Sequence, residues 1–123
     1  MKDEVVIRVA EQFGRQPYGR RADDGAQNGE AFRHRILIPA LRDANRLVIE
    51  MDGNETPYGS SFLDEAFGGL IRYGFFTHEQ LAGRIIAHHK LKNIPDRISY
   101  YIKIAIRDRD PETEARLLTE YGG

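Results

Sequence analysis

The sequence of 123 residues predicts an α/β fold, a single small domain spanning 1–123 with a mixed or mostly parallel sheet and helices mainly on one face. Apolar runs typical of strands occur near residues 5–10 and 46–51, and the second run shows the two-residue period of a strand. Segments with apolar residues at i, i+3 and i+4, the period of amphipathic helices, follow these runs. This alternation of strands and helices is typical of α/β domains.

The composition excludes several classes of protein. Hydrophobic residues make up 41% and charged residues 30% of the chain, and the formal net charge is -1, so nothing indicates a general binder of polyanions. The absence of cysteine excludes disulfides, thiolate catalysis and cysteine-ligated zinc. No apolar run approaches the roughly 20 residues of a membrane span, and the charged start Met1–Glu4 is unlike a signal peptide. We therefore expect a cytoplasmic protein without membrane contact, metal or cofactor.

The first strand is predicted over 5–10, and an irregular loop rich in glycine and arginine follows at about 13–29. Loops of this length in compact domains often carry function, so this loop is a candidate site. Its alternative interpretation is a solvated set of internally paired charges, and residue type alone does not decide between the two. The candidate contacts for an anion or a partner are Arg15, Tyr18, Arg20, Arg21, Asp24, Asn28 and Arg33.

The glycines of this loop do not form a nucleotide-binding P-loop. Gly14 and Gly19 have the required spacing, but a P-loop then needs a lysine and a hydroxyl residue. Arg20 and Arg21 occupy those two places. The arginines instead suit contacts to phosphate or carboxylate, and Tyr18 offers a flat apolar face.

The next helix is predicted to begin at Asn28, whose side chain can cap it. Arg33 and His34 fall outside its apolar stripe, so we expect both side chains on the solvent side. Pro39 predicts a kink or an early end, because proline removes one helical hydrogen bond and costs about 3 kcal/mol. The stripe consists of Phe32, Ile36, Leu37, Ala40 and Leu41.

The central strand is predicted to end near Asp52, at the turn Asp52-Gly53. After a loop, Ser60 and Ser61 precede an amphipathic helix, and one of these serines is predicted to cap it. Ser61 and Asp64 fit the loose capping-box pattern. Because ligands of open α/β sheets bind beyond the carboxyl ends of the strands, we expect Asp52 and both serines near the site. The buried face of this helix is predicted to be Phe62, Leu63, Ala66, Phe67, Leu70 and Ile71.

The region after this helix contains a stop signal at Gly74 and a capping pattern formed by Thr77 and Gln80. Residues 84–91 fit either a helix or a strand. In a strand, His88 and His89 point to opposite faces and cannot share one metal ion. We therefore expect no metal site there.

The apolar residues of 96–108 fit both the two-residue period of a strand and the period of a helix. Strict alternation of apolar residues favours a strand, whereas Ile98, Tyr101 and Ile102 also share one helical face behind Pro95. A final short helix is predicted from Asp110, as its cap, to the residues before Gly122.

The segment from Gly59 to Leu70, G-S-S-F-L-D-E-A-F-G-G-L, resembles the hallmark segment of the STAS-like domains of unknown function (DUF4325-type), distant relatives of the anti-sigma-factor antagonists. The resemblance implies a STAS-like sheet, a strand within 84–91 and a helix within 96–108. It extends over most of the chain through Phe13-Gly14-Arg15, Tyr18-Gly19-Arg20, Asp24-Gly25 and Asn28-Gly29-Glu30-Ala31-Phe32-Arg33.

In the antagonists, a partner serine kinase phosphorylates a serine at this junction of strand and helix. The resemblance therefore implies that Ser60 or Ser61 is a phosphoacceptor, and Ser60 matches the first serine of the antagonist motif. In that motif the first serine follows an aspartate and the second precedes a glycine, whereas Gly59 and Phe62 stand here.

The leading hypothesis is a non-catalytic regulatory or protein-interaction domain whose protein partner, such as a serine-kinase-like ATPase, reads this junction. A phosphoserine adds about -1.5 to -2 charges, which helix amides favour. Asp64 and Glu65 are expected to oppose that charge, and with Asp52 they form the acids of the predicted switch region. The residues specify neither the partner nor the oligomeric state.

Two alternatives come from other classes. A nucleic-acid- or anion-binding protein would use a basic surface of the loop and the following helix. A serine hydrolase would use Ser61 in a nucleophile elbow, but the G-x-S-x-G pattern requires glycine where Leu63 stands, so we expect no enzyme. The basic surface would consist of Arg15, Tyr18, Arg20, Arg21, Arg33 and Arg35.

Overall fold

The computed structural model describes residues 1–122 and contains a three-stranded parallel sheet. Strands β1 (Lys2–Arg8), β2 (Ala44–Glu50) and β3 (Ile85–His88) lie in the order β1-β2-β3, so β2 is central. Both strand pairs are parallel, with Val6 opposite Val48 in the first pair. The predicted α/β fold class is confirmed.

The described residues also form six helices. Two of them, α2 and α3, each contain a π-helical segment, at Arg33–Leu37 and Asp64–Gly68. Between 13 and 29, regular structure is confined to one 3₁₀ turn, Ala22–Asp24. No helix in residues 1–122 has the length and apolar content to cross a membrane. The helices are α1 (Val9–Gln12), α2 (29–43), α3 (60–72), α4 (His78–Leu81), α5 (Asn93–Ile104) and α6 (Pro111–Tyr121).

The core lies on one face of the sheet. Ile7, Leu47 and Ile49 point into it, as expected for alternate residues of a strand. On the opposite face Val6 and Ile86 are 40% and 39% exposed, so helices cover mainly one face of the sheet. The predicted apolar stripe of α3 is buried along its whole length.

Several predicted helix ends are confirmed. The Asn28 side chain accepts a hydrogen bond from the Ala31 amide at 2.8 Å and so caps α2. Thr77 and Gln80 form a reciprocal capping box at the start of α4. Asp110 caps α6, where the residue after it is a proline at the first helical position.

One expectation about an element end was wrong. Strand β1 ends at Arg8, and the predicted strand residues 9 and 10 form the first turn of α1. At Pro39 the sequence predicted a kink or an early end, and the early end does not occur, because α2 continues to Asp43. The helix is irregular just before this proline, where the π-helical segment Arg33–Leu37 ends.

The conflict between two periods at 96–108 is resolved in favour of the helix that the resemblance implied. In α5, Ile94 and Ile98 are buried, four residues apart, whereas Tyr100 and Ile104 are exposed. This burial has a helical period, because one side of α5 packs against α3 and β3. Strand propensity is thus overridden by tertiary packing.

The C-terminal helix α6 is joined to α2 by a polar cluster around Glu30. The Arg116 guanidinium donates to both Glu30 carboxylate oxygens, at 3.0 and 2.6 Å, and the Tyr121 hydroxyl donates at 3.2 Å. Burial opposes ionisation of Glu30, but the hydrogen bond and charge of Arg116, together with Arg33 and Tyr121, outweigh it, so the pKa of Glu30 lies below its ordinary value. Arg116, which is far from Glu30 in the sequence, therefore fixes the start of α2.

The same cluster covers His34, which had been expected on the solvent side. The Tyr121 ring stacks on the His34 ring with centroids 4.2 Å apart, and Phe75 packs edge-on against it. Burial, followed by the positive charge of Arg33, lowers the pKa of His34 from 6.5 to about 4. The expectation was wrong because α6 packs over the face of α2 that carries His34, although this face lacks an apolar stripe.

Replacement of Phe67 by alanine tests the predicted core face of α3. Phe67 is fully buried and its ring lies 6.0 Å from that of Phe32, so we expect a loss of about 3 to 5 kcal/mol in the free energy of unfolding. Chemical denaturation measures it. Tyr100→Ala, at an exposed aromatic residue of α5, is the control, and a Phe67→Ala loss below about 1 kcal/mol would contradict the assignment.

The half-buried His34 predicts a pH dependence of stability. Between about pH 6.5 and 4 the unfolded His34 binds a proton that the folded His34 does not, so acidification favours unfolding. From about pH 7 to about pH 5, we expect stability to fall more steeply in the wild type than in His34→Gln, measured by urea denaturation. His88→Gln, at a surface histidine, is the control. Equal pH slopes for wild type and His34→Gln would exclude this contribution.

Candidate functional site

The loop at 13–29 and the N-terminus of α3 enclose one cleft of about 400 Å³, called the α3 cleft below. The structure thus brings together two regions that the sequence singled out separately. Tyr18 is 60% exposed at this cleft, and both serines that begin α3 are also exposed. The side chains that define the cleft include those of Tyr18, Arg20, Asp24, Pro57, Ser60 and Ser61.

Backbone hydrogen bonds hold the loop against its neighbours. The Gly29 and Glu30 amides, at the start of α2, donate to the carbonyls of Gly19 and Arg20, both at 2.9 Å. On the other side, the Glu55 amide donates to the Arg15 carbonyl at 2.6 Å. The loop is therefore anchored to α2 and to the segment between β2 and α3.

Asp24 and Asn28 shape the loop from within. The Asp24 carboxylate accepts from the Arg20 amide at 2.8 Å, next to Gly19, whose φ of +75° suits glycine. Asn28 is 4% exposed, caps α2 and donates to the Gly25 carbonyl at 2.8 Å. The prediction that Asn28 contacts a partner was wrong, because its polar atoms are buried and used inside the fold.

Arg33 was also wrongly predicted to contact a partner. It is fully buried between α2 and α3, where its Nη1 lies 2.8 Å from the Glu65 carboxylate and also donates to the Glu65 carbonyl. The two residues belong to the facing π-helical segments. Glu65 is 2% exposed, so it is a buried partner of Arg33 and no surface acid of a switch.

A sequence signal for this buried pair exists in the glycines of α3. A Cβ added at Gly69 would lie 2.1 Å from Arg33 Nη1, so the glycine provides the space for the guanidinium. Glycine inside a helix costs about 0.5 to 1 kcal/mol relative to alanine, so its presence there indicates close packing.

Asp64 connects the loop to α3. Its carboxylate lies 2.8 Å from the Arg20 guanidinium and 2.7 Å from that of Arg72. Burial of Arg20 opposes its charge, but the hydrogen bond and charge of Asp64 outweigh this, so the pKa of Arg20 is raised. Arginines thus neutralise both Asp64 and Glu65. The repulsion between these two acids and a phosphate, which their charges led us to expect, is therefore offset.

Neither serine caps α3, in contrast to the prediction. The N-cap residue is Gly59, and Ser60 and Ser61 are the first two helical residues. At the start of α3, the first backbone hydrogen bond is donated by the Leu63 amide to the Gly59 carbonyl at 3.1 Å. The preceding amides, including those of both serines, therefore have no partner within the helix. The prediction failed because the chain enters the helix one residue before the serines.

Arg97 is a site residue that the sequence analysis missed. It projects from α5, and its Nη2 donates to Ser60 Oγ at 3.0 Å while its Nη1 donates to the Tyr58 carbonyl at 3.1 Å. Tyr58 in turn is buried and donates through its hydroxyl to the Met51 carbonyl at 2.8 Å. No sequence signal links Arg97 to Ser60, because they are 37 positions apart in the chain and a separate helix carries the arginine.

The model of one protein family, described as STAS-like domain of unknown function (DUF4325), matches residues 28–98. The chain belongs to this family. Neither the curated proteins nor the solved structures yielded a match. The matched part of this STAS-like domain includes Ser60, Asp64 and Arg97, whereas Tyr18 and Arg20 precede it.

The remaining predicted residues of this STAS-like domain lie outside the cleft lining or point away from it. Asp52 accepts from the Lys90 amide at 3.0 Å and lies 3.6 Å from His89, so it joins the ends of β2 and β3. Arg15 donates to the Gly53 carbonyl at 3.3 Å, and Arg21 is exposed on the loop. In residues 1–122, no group of three or more acids and histidines is arranged to hold a metal ion.

Replacing Ser61 by alanine tests the corrected position of the helix cap. Because the exposed Ser61 hydroxyl accepts no capping hydrogen bond, we expect a change within about 0.5 kcal/mol in the free energy of unfolding. Thr77→Ala, which removes an observed cap, is the positive control with an expected loss of about 1 kcal/mol. Chemical denaturation measures both. A Ser61→Ala loss as large as that of Thr77→Ala would show that Ser61 is a cap.

Proposed function

We propose that this STAS-like domain is a non-catalytic regulatory domain that binds a protein partner at the α3 cleft. Phosphorylation of Ser60 changes that binding. The observation that carries the proposal is the position of the Ser60 hydroxyl, which is exposed at the first residue of α3, on the cleft, and contacts a cationic side chain.

The surroundings of Ser60 favour a phosphate. The free amides at the start of α3 and the helix dipole attract an anion, since a phosphoserine carries about -1.5 to -2 charges. The Arg97 guanidinium adds a full positive charge. Asp64 is engaged by Arg20 and Arg72, so it opposes the phosphate less than an unpaired carboxylate would.

The modification is the transfer of a phosphoryl group from ATP by a partner kinase. A P–O bond forms at Ser60 Oγ, the bond between the γ-phosphorus and the oxygen of ADP breaks, and the hydroxyl proton passes to a base of the kinase. A serine-kinase-like ATPase supplies both the ATP and the base. The domain itself contributes the acceptor hydroxyl and the surface that the kinase recognises.

The α3 cleft suits a protein surface. Tyr18 presents an exposed aromatic ring, and aromatic rings with a polar end are frequent at protein interfaces. Pro57 adds apolar surface, and Arg20 remains 42% exposed after pairing with Asp64. A phosphate on Ser60 would therefore place new charge directly inside the area that a partner covers.

The group beside Ser60 argues against hydrolysis. A serine nucleophile needs a base within hydrogen-bond reach. Arg97, which contacts Ser60 Oγ, is a donor that cannot accept a proton. The contact therefore supports a regulatory role for this serine.

The experiment compares partner binding by wild type, Ser60→Asp and Ser60→Ala. Proteins captured from the source organism are identified, purified and titrated against each variant. We expect Ser60→Asp to change the affinity for the captured partner at least about tenfold, a difference of about 1.4 kcal/mol, and Ser60→Ala to resemble the wild type. Phosphate on Ser60, detected by mass spectrometry after incubation with the partner kinase and ATP, is the second expected result.

Ser61→Asp is the matched control, because it places the same charge one residue further along α3. It should affect the affinity less than Ser60→Asp. Equal affinities for wild type, Ser60→Asp and Ser60→Ala, together with no phosphate on either serine, would overturn the proposed function.

A further inference from the structure

We propose that Arg97 is the phosphate-binding residue of this domain and the reason that Ser60, rather than Ser61, is the regulated position. This inference rests on the proposed function, since it concerns how the phosphorylated state is held. It assigns a role to a side chain on α5, outside the loop and the helix that form the α3 cleft.

The Arg97 guanidinium is positioned to bind a phosphate on Ser60. Its two terminal nitrogens reach two neutral oxygens, the Tyr58 carbonyl at 3.1 Å and Ser60 Oγ at 3.0 Å. In phosphoserine the Oγ atom is the bridging oxygen, so the added phosphate begins where Arg97 already donates. The planar fork of arginine matches two phosphate oxygens at once, which makes it well suited to take up the new group.

Arg97 differs from Arg20 in the charge of its partners. Among the described residues, the hydrogen bonds of Arg97 go to these neutral oxygens, and no carboxylate forms an ion pair with it. Arg20, the other arginine at the cleft, lies 2.8 Å from Asp64 and 3.7 Å from Glu65. The charge of Arg20 is therefore largely offset, whereas that of Arg97 is available to an anion.

The packing of α5 restricts the position of Arg97. Ile94 and Ile98 flank Arg97 on α5, and both are buried in the core. Arg97 itself is half-buried, so its stem is held by packing while its guanidinium reaches the start of α3. A donor fixed in this way loses less conformational entropy when it binds an anion than a mobile surface arginine does.

The contact also distinguishes the two serines. Arg97 reaches Ser60 Oγ, while the Ser61 hydroxyl has no hydrogen-bond partner within residues 1–122. The free amides at the helix start act on a phosphate at either position. The arginine therefore supplies the part of the interaction that is specific to Ser60.

The test uses the full chain with phosphoserine incorporated at position 60 during translation, so that no natural kinase is needed. Phosphorus NMR across pH measures the second pKa of the phosphoserine, which is about 6 in an unperturbed residue. Because a nearby cation favours the dianion, we expect a value lower by about one unit in the otherwise wild-type chain. Arg97→Gln should bring the phosphoserine pKa most of the way back to its unperturbed value. Arg97→Lys, which keeps the charge without the planar fork, should give an intermediate pKa.

Two controls separate Arg97 from the general field of the protein. Arg46→Gln removes an exposed arginine that pairs with Glu4 at 3.0 Å, so the phosphoserine pKa should not change. Phosphoserine at position 61 should keep the shift due to the helix amides and show no dependence on Arg97. Circular dichroism and thermal unfolding verify that each variant is folded. If Arg97→Gln does not fold, the comparison of Arg97→Lys with the unsubstituted chain at positions 60 and 61 decides.

A phosphoserine pKa at position 60 that is unchanged by substitution of Arg97 would overturn this inference, as would an equal dependence at position 61. Neither result depends on a partner. A shifted pKa, combined with equal partner affinities for wild type, Ser60→Asp and Ser60→Ala and no phosphate on either serine, would overturn the proposed function alone. An unshifted pKa combined with different affinities would overturn the role of Arg97 alone.

Discussion

The buried ion pair between Arg33 and Glu65 is the constraint on which the rest of the structure depends. Both side chains are almost completely inaccessible, and each lies in a π-helical segment of its helix, α2 or α3. Burial of two charges is costly, and loss of either partner would leave the other uncompensated, at about 3 to 5 kcal/mol. The two helices must therefore keep one relative position, in which Gly69 leaves room for the guanidinium.

This fixed position of α2 against α3 builds the cleft. Gly29, at the start of α2, lies so close to α3 that an added Cβ would be 2.7 Å from the Phe62 carbonyl. The Gly29 amide also holds the loop through Gly19, and Arg20 then reaches Asp64. The loop, both helix starts and Ser60 are thus held together by one continuous set of contacts.

The arginines of this STAS-like domain differ in function because their partners differ, although their side chains are the same. Arg33 is buried with Glu65, Arg20 is paired with Asp64, and Arg116 connects α6 to Glu30. Arg97 instead donates to the Tyr58 carbonyl and to Ser60 Oγ, both of which are neutral. Of the arginines that the sequence assigned to a basic surface, Arg20 and Arg33 are thus used by the fold mainly to neutralise its own acids.

The sequence by itself determined the α/β class, a mixed or mostly parallel sheet, the caps at Asn28 and Thr77, and the buried face of α3. These features depend on residues close together in the chain, where period and hydrogen-bonding capacity act locally. Only the tertiary structure decided that Arg33 is buried, that Gly59 caps α3 and that Arg97 meets Ser60. Such features depend on which helices pack together, and long-range packing overrides the local preference of any single residue.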